Sequence, residues 1–224
     1  IVFSPAALFS IGLVSTFITG GVTWLILGDS ALDINVHDTY FVVGHFHIVM
    51  GLSAIFGMFA GVYHWFPKMF GRMMNNKLGN IHFWFTIVSA YGIFFPMHFL
   101  GLAGVPRRYY TNSEFPLFDN MIYINQFVST FAIIAFFAQL IFFFNFVYSA
   151  LKGPKAPQNP WKGNSLEWTA PVEHFHGNWY GEIPEVHRWP YDYSKVDENG
   201  EYISGDDFIP QTVPMGENEK DGGH

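Results

Sequence analysis

Four long segments of the chain contain no Lys, Arg, Asp or Glu, and this absence of charge restricts the fold more than any other feature. Each segment is long enough to cross the hydrocarbon core of a bilayer, which takes about 20 apolar residues in a helix. Four buried helices of a water-soluble protein would need a polar face on most of them, and only scattered Ser, Thr and His residues supply one. We therefore predict an all-α integral membrane protein with four transmembrane helices at residues 5–27, 39–66, 81–103 and 121–151.

The charged residues divide the chain at about residue 151. The charges of residues 1–151 cancel, and residues 152–224 carry the whole net charge of −7. We predict a transmembrane region over residues 1–151 and an irregular, acidic, extramembrane tail over residues 152–224. From Lys195 onward the low hydrophobicity and the excess of negative charge predict disorder. Because the chain begins with Ile1 rather than Met, we expect a piece of a longer protein.

Composition excludes several classes of function. The chain has no cysteine, which excludes disulfides, cysteine-ligated iron–sulfur clusters and covalently attached c-type haem. The acidic tail and the lack of a basic patch argue against a nucleic-acid partner.

The connecting segments predict the orientation in the membrane. Residues 28–38 contain three Asp and no basic residue, whereas residues 67–80 contain three basic residues and no acidic one. The positive-inside rule places residues 67–80 and the C-terminal tail on the cytoplasmic (or matrix) side. The adjacent residues Arg107 and Arg108 then lie on the outer side, where we expect an anionic partner. Lipid phosphate and a carboxylate-bearing cofactor both fit a guanidinium pair.

Two histidines in the second predicted helix are separated by one residue. On a helix, His45 and His47 differ by about 200° in direction, so they cannot bind one metal ion. Two metals, one on each side of the helix, would lie roughly 13–17 Å apart, a distance that suits electron transfer between two redox centres such as haems. The alternative is that both are hydrogen-bonded packing residues. Gly44 and Gly51 lie on the face of His47, where they would admit a flat macrocycle or a neighbouring helix.

Four residues are expected together near the outer end of this helix: His37, Asp38, Arg107 and Arg108. His45 and His47 lie about 9–12 Å below that end, so the propionates of a haem bound there would reach the two arginines. His37 and Asp38 suit a hard divalent cation or the same propionate cluster. Alternatively, Asp38 and Thr39 are ordinary helix caps.

Three further histidines have structural interpretations. His64 and His82 lie near the predicted inner ends of helices and are expected to be interfacial anchors. His98 follows Pro96, which frees a backbone carbonyl that this histidine could bond.

Two motifs, residues 32–47 and residues 98–109, strongly resemble subunit I of haem–copper oxidases of the cytochrome c oxidase type. The likeness runs from Ile1 to about Trp168, and residues 184–192 of the tail are similar to bacterial members of the family. The family usually has Gln and Met where this chain has Met97 and Val105.

The resemblance implies a role for each matching residue. His45 matches the axial ligand of the high-spin haem, and His47 matches one of two axial ligands of the low-spin haem. Arg107 and Arg108 match the pair that holds the haem propionates. His37 and Asp38 match ligands of a Mg (or Mn) ion at the boundary between subunits I and II.

The resemblance also implies a larger enzyme. Subunit I of the family has about twelve helices, of which this chain would be the last four, and its cofactors would be two haems (haem a and haem a3) with Mg or Mn. Copper is expected in the full subunit but without ligands from these residues, so no catalytic centre is complete in this chain.

Partners, location and alternatives follow from the same resemblance. The expected partners are the remainder of subunit I, subunits II and III, cytochrome c, O2 and membrane lipid. The expected location is the cytoplasmic (inner) membrane of a bacterium rather than that of a mitochondrion, and the expected activity is proton-pumping reduction of O2 to water. A quinol oxidase of the same superfamily is the first alternative. A non-catalytic structural membrane subunit with packing histidines is the second.

Overall fold

A computed structural model of the chain describes residues 2–111, 115–171, 177–179, 181–191, 195–196, 202–203 and 209–214. Seven helical elements form most of these residues: α1 (Pro5–Leu27), α2 (Ser30–Val36), α3 (Tyr40–Phe46), a π-helical segment (His47–Leu52), α4 (Ser53–Phe70), α5 (Asn76–Leu102) and α6 (Ile122–Lys152). Two 3₁₀ turns cover Pro116–Met121 and Leu166–Trp168. The strands β1 (Lys195–Val196) and β2 (Tyr202–Ile203) pair antiparallel.

Four helical stretches are long and apolar enough to span a membrane, which confirms the predicted number. They are Pro5–Leu27, Tyr40–Phe70, Asn76–Leu102 and Pro116–Lys152. Only 11% to 33% of the residues in their most apolar windows are buried within the chain. Most of their apolar surface is therefore left for lipid or for other protein to cover.

Capping residues set two of the helix starts. Ser4 caps α1, where its hydroxyl accepts a hydrogen bond from the backbone N–H of Ala7 at 3.3 Å. The side chain of Asn75 accepts from the N–H groups of Lys77 and Leu78, so α5 begins at Asn76. The predicted start at residue 81 was too late because it marked the first apolar residues rather than the capping residue.

The segment between the first two long helices contains a short helix that the sequence analysis treated as loop. The carboxylate of Asp29 accepts from the N–H of Ala31 at 2.9 Å and caps α2. The seven residues of α2 bring the chain back from the end of α1 to the start of α3.

The second long helix is interrupted by a change in hydrogen bonding. It runs from Tyr40 to Phe70 rather than from 39 to 66, and His47–Leu52 is π-helical. π-Helical turns are rare and occur often at functional sites. Here the turn begins at one of the two candidate haem ligands.

Aromatic side chains form the core of the first compact unit, residues 1–66 and 74–153. Phe9 of α1 is fully buried and lies 4.9 to 5.8 Å, between ring centroids, from several rings of α4 and α5: Phe56, Phe59, Tyr63, His82 and Phe83. Phe142 of α6 closes the same cluster. This packing fixes α1, α5 and α6 around the long helix Tyr40–Phe70, which carries His45 and His47.

The second compact unit contains residues 67–73 and 154–224. Its buried Asn164 accepts from the N–H of Ile209 at 3.0 Å, and the side chain of Gln211 accepts from the N–H of Leu166 at 2.8 Å. Ile209 and Gln211 are both buried. The disorder expected from Lys195 onward stays a prediction; within that segment the structure describes these two residues and the strands β1 and β2, and residues 215–224 lie outside the described part.

Candidate functional site

His45 is buried and faces α1. Its Nδ1 lies 3.0 Å from the carbonyl oxygen of Gly20 and 2.7 Å from the hydroxyl oxygen of Thr23. The indole of Trp24 lies 5.9 Å from the imidazole between ring centroids. Both hydrogen-bonding groups belong to a different helix from the histidine, so the packing of α1 sets the position of this ring.

His47 is half-buried and faces α5. Its Nδ1 lies 2.8 Å from the carbonyl oxygen of Val43, one turn earlier on its own helix. Its ring stacks on Phe94, with 4.8 Å between centroids and 8° between planes. His45 and His47 thus contact different neighbouring helices, as their spacing predicts.

The hydrogen bonds of these two histidines fix which ring nitrogen carries the proton. A carbonyl oxygen can only accept, so Nδ1 of each ring is the protonated nitrogen. Nε2 of each ring then keeps a lone pair that can bind a metal. Histidines that bind metals commonly donate their other N–H to a carbonyl, which fixes the ring and makes it a better donor.

Phe46 lies between the two histidines. It is 39% exposed, and its ring lies 4.2 Å from that of His47. Phe46 therefore separates the two histidines in the sequence and packs against the ring of His47.

Of the two alternatives for Gly44, a macrocycle or a neighbouring helix, the contacts favour the neighbouring helix. A Cβ atom at Gly44 would lie 2.8 Å from the carbonyl oxygen of Phe94 and 2.9 Å from the ring of His98, so α5 already occupies this face. A Cβ at Gly51 would meet only the side chain of His47, at 3.7 Å. Of the two glycines, Gly51 alone leaves room for another group.

The segments at the predicted outer end are joined by a short pairing of backbone. The N–H of Tyr40 donates to the carbonyl of Val105 at 3.1 Å, and the N–H of Arg107 donates to that of Asp38 at 2.9 Å. Asp38 and Arg108 adopt positive φ angles of 58° and 70°. Such conformations cost about 1–3 kcal/mol each and persist where surrounding contacts enforce them.

Asp38 and Arg107 also form an ion pair. Nε of the guanidinium lies 3.0 Å from Oδ1 of Asp38, and Nη2 lies 2.5 Å from the same oxygen. The hydrogen bond and the charge of Arg107 hold the pKa of Asp38 below its ordinary value of 3.8. The structure therefore brings together two members of the predicted outer cluster.

His37 lies next to this ion pair but bonds elsewhere. Its Nδ1 donates to the carbonyls of Asp33 and Ile34, both at 3.1 Å, which leaves Nε2 with a lone pair. Thr39 caps α3, as one interpretation predicted, whereas Asp38 does not cap it.

No group of three His, Asp or Glu side chains that could hold a metal occurs among the described residues. A divalent cation at His37 and Asp38 would need ligands from outside that part of the chain.

His82 was predicted as an interfacial anchor, and this was wrong. It is fully buried, and its Nε2 lies 3.3 Å from Oε1 of Gln139 while its Nδ1 lies 3.2 Å from the hydroxyl of Tyr63. Both of its nitrogens are used within the protein, so His82 is a core residue rather than a metal ligand.

Sequence reasoning also missed two groups around the candidate ligands. Gly20 and Thr23 carry no signal that separates them from other small residues of an apolar helix.

His98 bonds the carbonyl of Phe95 through Nδ1 at 3.1 Å, and its buried Nε2 has no hydrogen-bond partner among the described residues. Because the carbonyl that Pro96 frees is that of the residue four positions earlier, the bond to Phe95 differs from the expected one.

Comparison with known proteins gives a consistent result. Residues 1–147 match the family described as cytochrome c and quinol oxidase polypeptide I. The chain is 44% identical over 209 residues to the alternative cytochrome c oxidase subunit 1 of Bradyrhizobium diazoefficiens, a match that covers 92% of this chain and 34% of the relative. It is also 44% identical over 191 residues to cytochrome c oxidase subunit 1 of Thermostichus vulcanus, covering 85% of this chain and 33% of that protein. The chain thus spans about a third of the length of these relatives.

A solved structure supports the fold. The cryo-EM structure of a heme-copper terminal oxidase dimer resembles this chain with a TM-score of 0.58 and 22% sequence identity. The match covers 66% of this chain and 27% of the other.

Proposed function

The chain belongs to the cytochrome c and quinol oxidase polypeptide I family, and on this premise we propose that it supplies the helix that ligates both haems of a terminal oxidase. The observation that carries the proposal is the set of hydrogen bonds and helix contacts made by two histidines on one helix. His45 and His47 each donate Nδ1–H to a carbonyl and keep Nε2 for a metal, and they contact different neighbouring helices.

The two histidines take different roles in this proposal. His45 is the axial ligand of the high-spin haem, and His47 is one of the two axial ligands of the low-spin haem. When bound, haem and copper supply the redox chemistry that reduces oxygen to water. The chain itself holds and orients the two imidazoles, and Phe46 packs against that of His47.

The outer residues take the propionate and cation roles. In the proposal, Arg107 and Arg108 hold haem propionates, because paired guanidinium groups match carboxylates. His37 and Asp38 provide two ligands of a Mg or Mn ion. Arg107 would then exchange part of its contact with Asp38 for a propionate, a change that the exposed position of Asp38 permits.

The whole enzyme extends beyond these residues. We infer an oxidase that takes electrons from cytochrome c, reduces O2 to water and pumps protons, with the other part of subunit I and subunits II and III as partners. The haems would be haem a and haem a3, and copper would be ligated outside this chain. Because the family includes quinol oxidases, quinol is the second candidate electron donor.

The proposed topology follows the distribution of charge. Residues 1–151 form the membrane region and residues 152–224 an extramembrane region on the cytoplasmic side of a bacterial inner membrane. The basic residues of the 67–80 segment and the acidic 28–38 segment support this orientation.

The test is a reduced-minus-oxidised visible spectrum of the purified complex, recorded with and without carbon monoxide. We expect two haem signals, of which carbon monoxide perturbs only one, because only the high-spin iron has an open position. The band positions identify the haem type. A complex that contains the intact chain and gives no haem signal would refute the oxidase function and leave the structural-subunit interpretation.

A further inference from the structure

The hydroxyl of Thr23 lies between a histidine and a carbonyl. Its oxygen is 2.6 Å from the carbonyl oxygen of Gly20 and 2.7 Å from Nδ1 of His45. The carbonyl can only accept, so the hydroxyl donates its proton to Gly20. Its lone pairs then face the histidine, and the protonated Nδ1 of His45 donates to them.

The orientation of this hydroxyl is set within α1. Threonine commonly bonds a carbonyl three or four residues earlier on its own helix, and Thr23 does so to Gly20. The acceptor for His45 is therefore positioned by α1 itself, whether or not the imidazole is present.

Close packing of α1 makes the contact possible. A Cβ atom at Gly20 would lie 2.9 Å from the backbone nitrogen of Val49 and 3.0 Å from the side chain of Ile48. α1 thus lies directly against the π-helical segment at this point. The absence of a side chain at residue 20 brings the Gly20 carbonyl and the Thr23 hydroxyl within reach of Nδ1.

The other histidine is held in a different way. Nδ1 of His47 bonds one carbonyl, that of Val43, on the same helix. Nδ1 of His45 has two acceptors, and both belong to α1. Acceptors at Nδ1 increase the donor strength of Nε2, so the surroundings of the two ligands differ.

We propose that Thr23 is a positioning residue for the high-spin haem. Its hydroxyl fixes the orientation of the His45 imidazole and strengthens the bond from Nε2 to the iron. The inference rests on the proposed function, since His45 is an iron ligand only under that proposal.

The test is the iron–histidine stretching band of the reduced high-spin haem, measured by resonance Raman spectroscopy on the purified complex. Thr23→Val keeps the shape of the side chain and removes the hydroxyl. We expect the band to move to lower frequency and the midpoint potential of this haem to become more positive. Thr23→Ser retains the hydroxyl and should restore both values to those of the wild type.

Thr19→Val is the matched control. Thr19 lies one turn earlier on α1, and its hydroxyl bonds the carbonyl of Ser15 at 2.8 Å and the hydroxyl of Tyr91 at 3.0 Å. This variant also loses a half-buried hydroxyl, but it leaves the surroundings of His45 intact. We expect its iron–histidine band to match that of the wild type.

The outcomes separate the two proposals. A wild-type complex with no iron–histidine band would refute the proposed function. A wild-type band that Thr23→Val leaves unchanged would refute only the role of Thr23, as would an equal shift in Thr19→Val. Should Thr23→Val fail to assemble, Thr23→Ala removes the same hydroxyl with less bulk, and an unchanged band in it overturns the inference.

Discussion

Gly44→Ala tests whether this glycine is a contact between helices or part of a cofactor surface. An alanine Cβ would lie 2.8 Å from the Phe94 carbonyl oxygen and 2.9 Å from the His98 ring, closer than Cβ atoms normally approach other atoms. α3 and α5 would have to separate by a few tenths of an ångström. Overpacking of this kind costs about 1–3 kcal/mol. A loss of 1–2 kcal/mol lowers the ratio of folded to unfolded protein about 5- to 30-fold.

Gly51→Ala is the matched control on the same face of the same helix. Its Cβ would make only an ordinary contact, 3.7 Å from the side chain of His47. Alanine is favoured over glycine within a helix by about 0.5–1 kcal/mol, so this variant should be at least as stable as the wild type. The assay is unfolding of the purified complex in dodecyl sulfate, followed by circular dichroism and by the absorbance of the low-spin haem.

The result that refutes the packing argument is specific. If Gly44→Ala unfolds at the same dodecyl sulfate concentration as Gly51→Ala, then α5 does not restrict this face. If Gly51→Ala is the variant that loses stability, then Gly51 is the close contact and Gly44 is the position with room for another group.

Two other predictions concern hydrogen bonds and charge. Tyr63→Phe should lower the free energy of unfolding by about 1–3 kcal/mol, because it leaves the buried Nδ1 of His82 without its donor. The same dodecyl sulfate assay measures this change, and a variant as stable as the wild type would contradict the prediction. The pKa of Asp38 is lower in the folded chain than the ordinary value of 3.8, so its ion pair with Arg107 stabilises the fold above that pH and is lost as pH falls through the folded pKa. Acid unfolding of the wild type should therefore include a component below about pH 4 that Asp38→Asn lacks and that salt weakens; identical acid profiles for the two proteins would disprove this.

The sequence predicts those features that depend on one helix at a time. Charge-free segments of membrane length predicted the number of helices, since burying a charge in hydrocarbon is costly. The fixed rotation of about 100° per residue predicted that His45 and His47 contact different neighbours. Both arguments need only the geometry of an isolated helix.

Features that depend on how helices meet could not be predicted in this way. The contacts of Gly44 with α5 and of Thr23 with His45 depend on which faces pack together. The burial of His82 is similar, because its partners Tyr63 and Gln139 come from two other helices. A single sequence contains no record of these pairings. The sequence predicted that Asp38 and Arg107 lie in one cluster at the end of the helices, but it did not predict that these two residues form an ion pair.

The π-helical segment determines where this helix can change in length. A residue added to or removed from His47–Leu52 can be absorbed by exchanging π and α hydrogen bonding, so that α3 and α4 keep their directions, whereas elsewhere it would rotate the rest of the helix by about 100°. The side chains before and after the segment therefore keep separate registers. α3 sets the direction of His45, while α4 presents Phe56 and Tyr63 to the aromatic core. In an alignment of relatives, single-residue insertions and deletions in this helix belong within these six positions, since anywhere else they would turn a ligand or the core toward lipid.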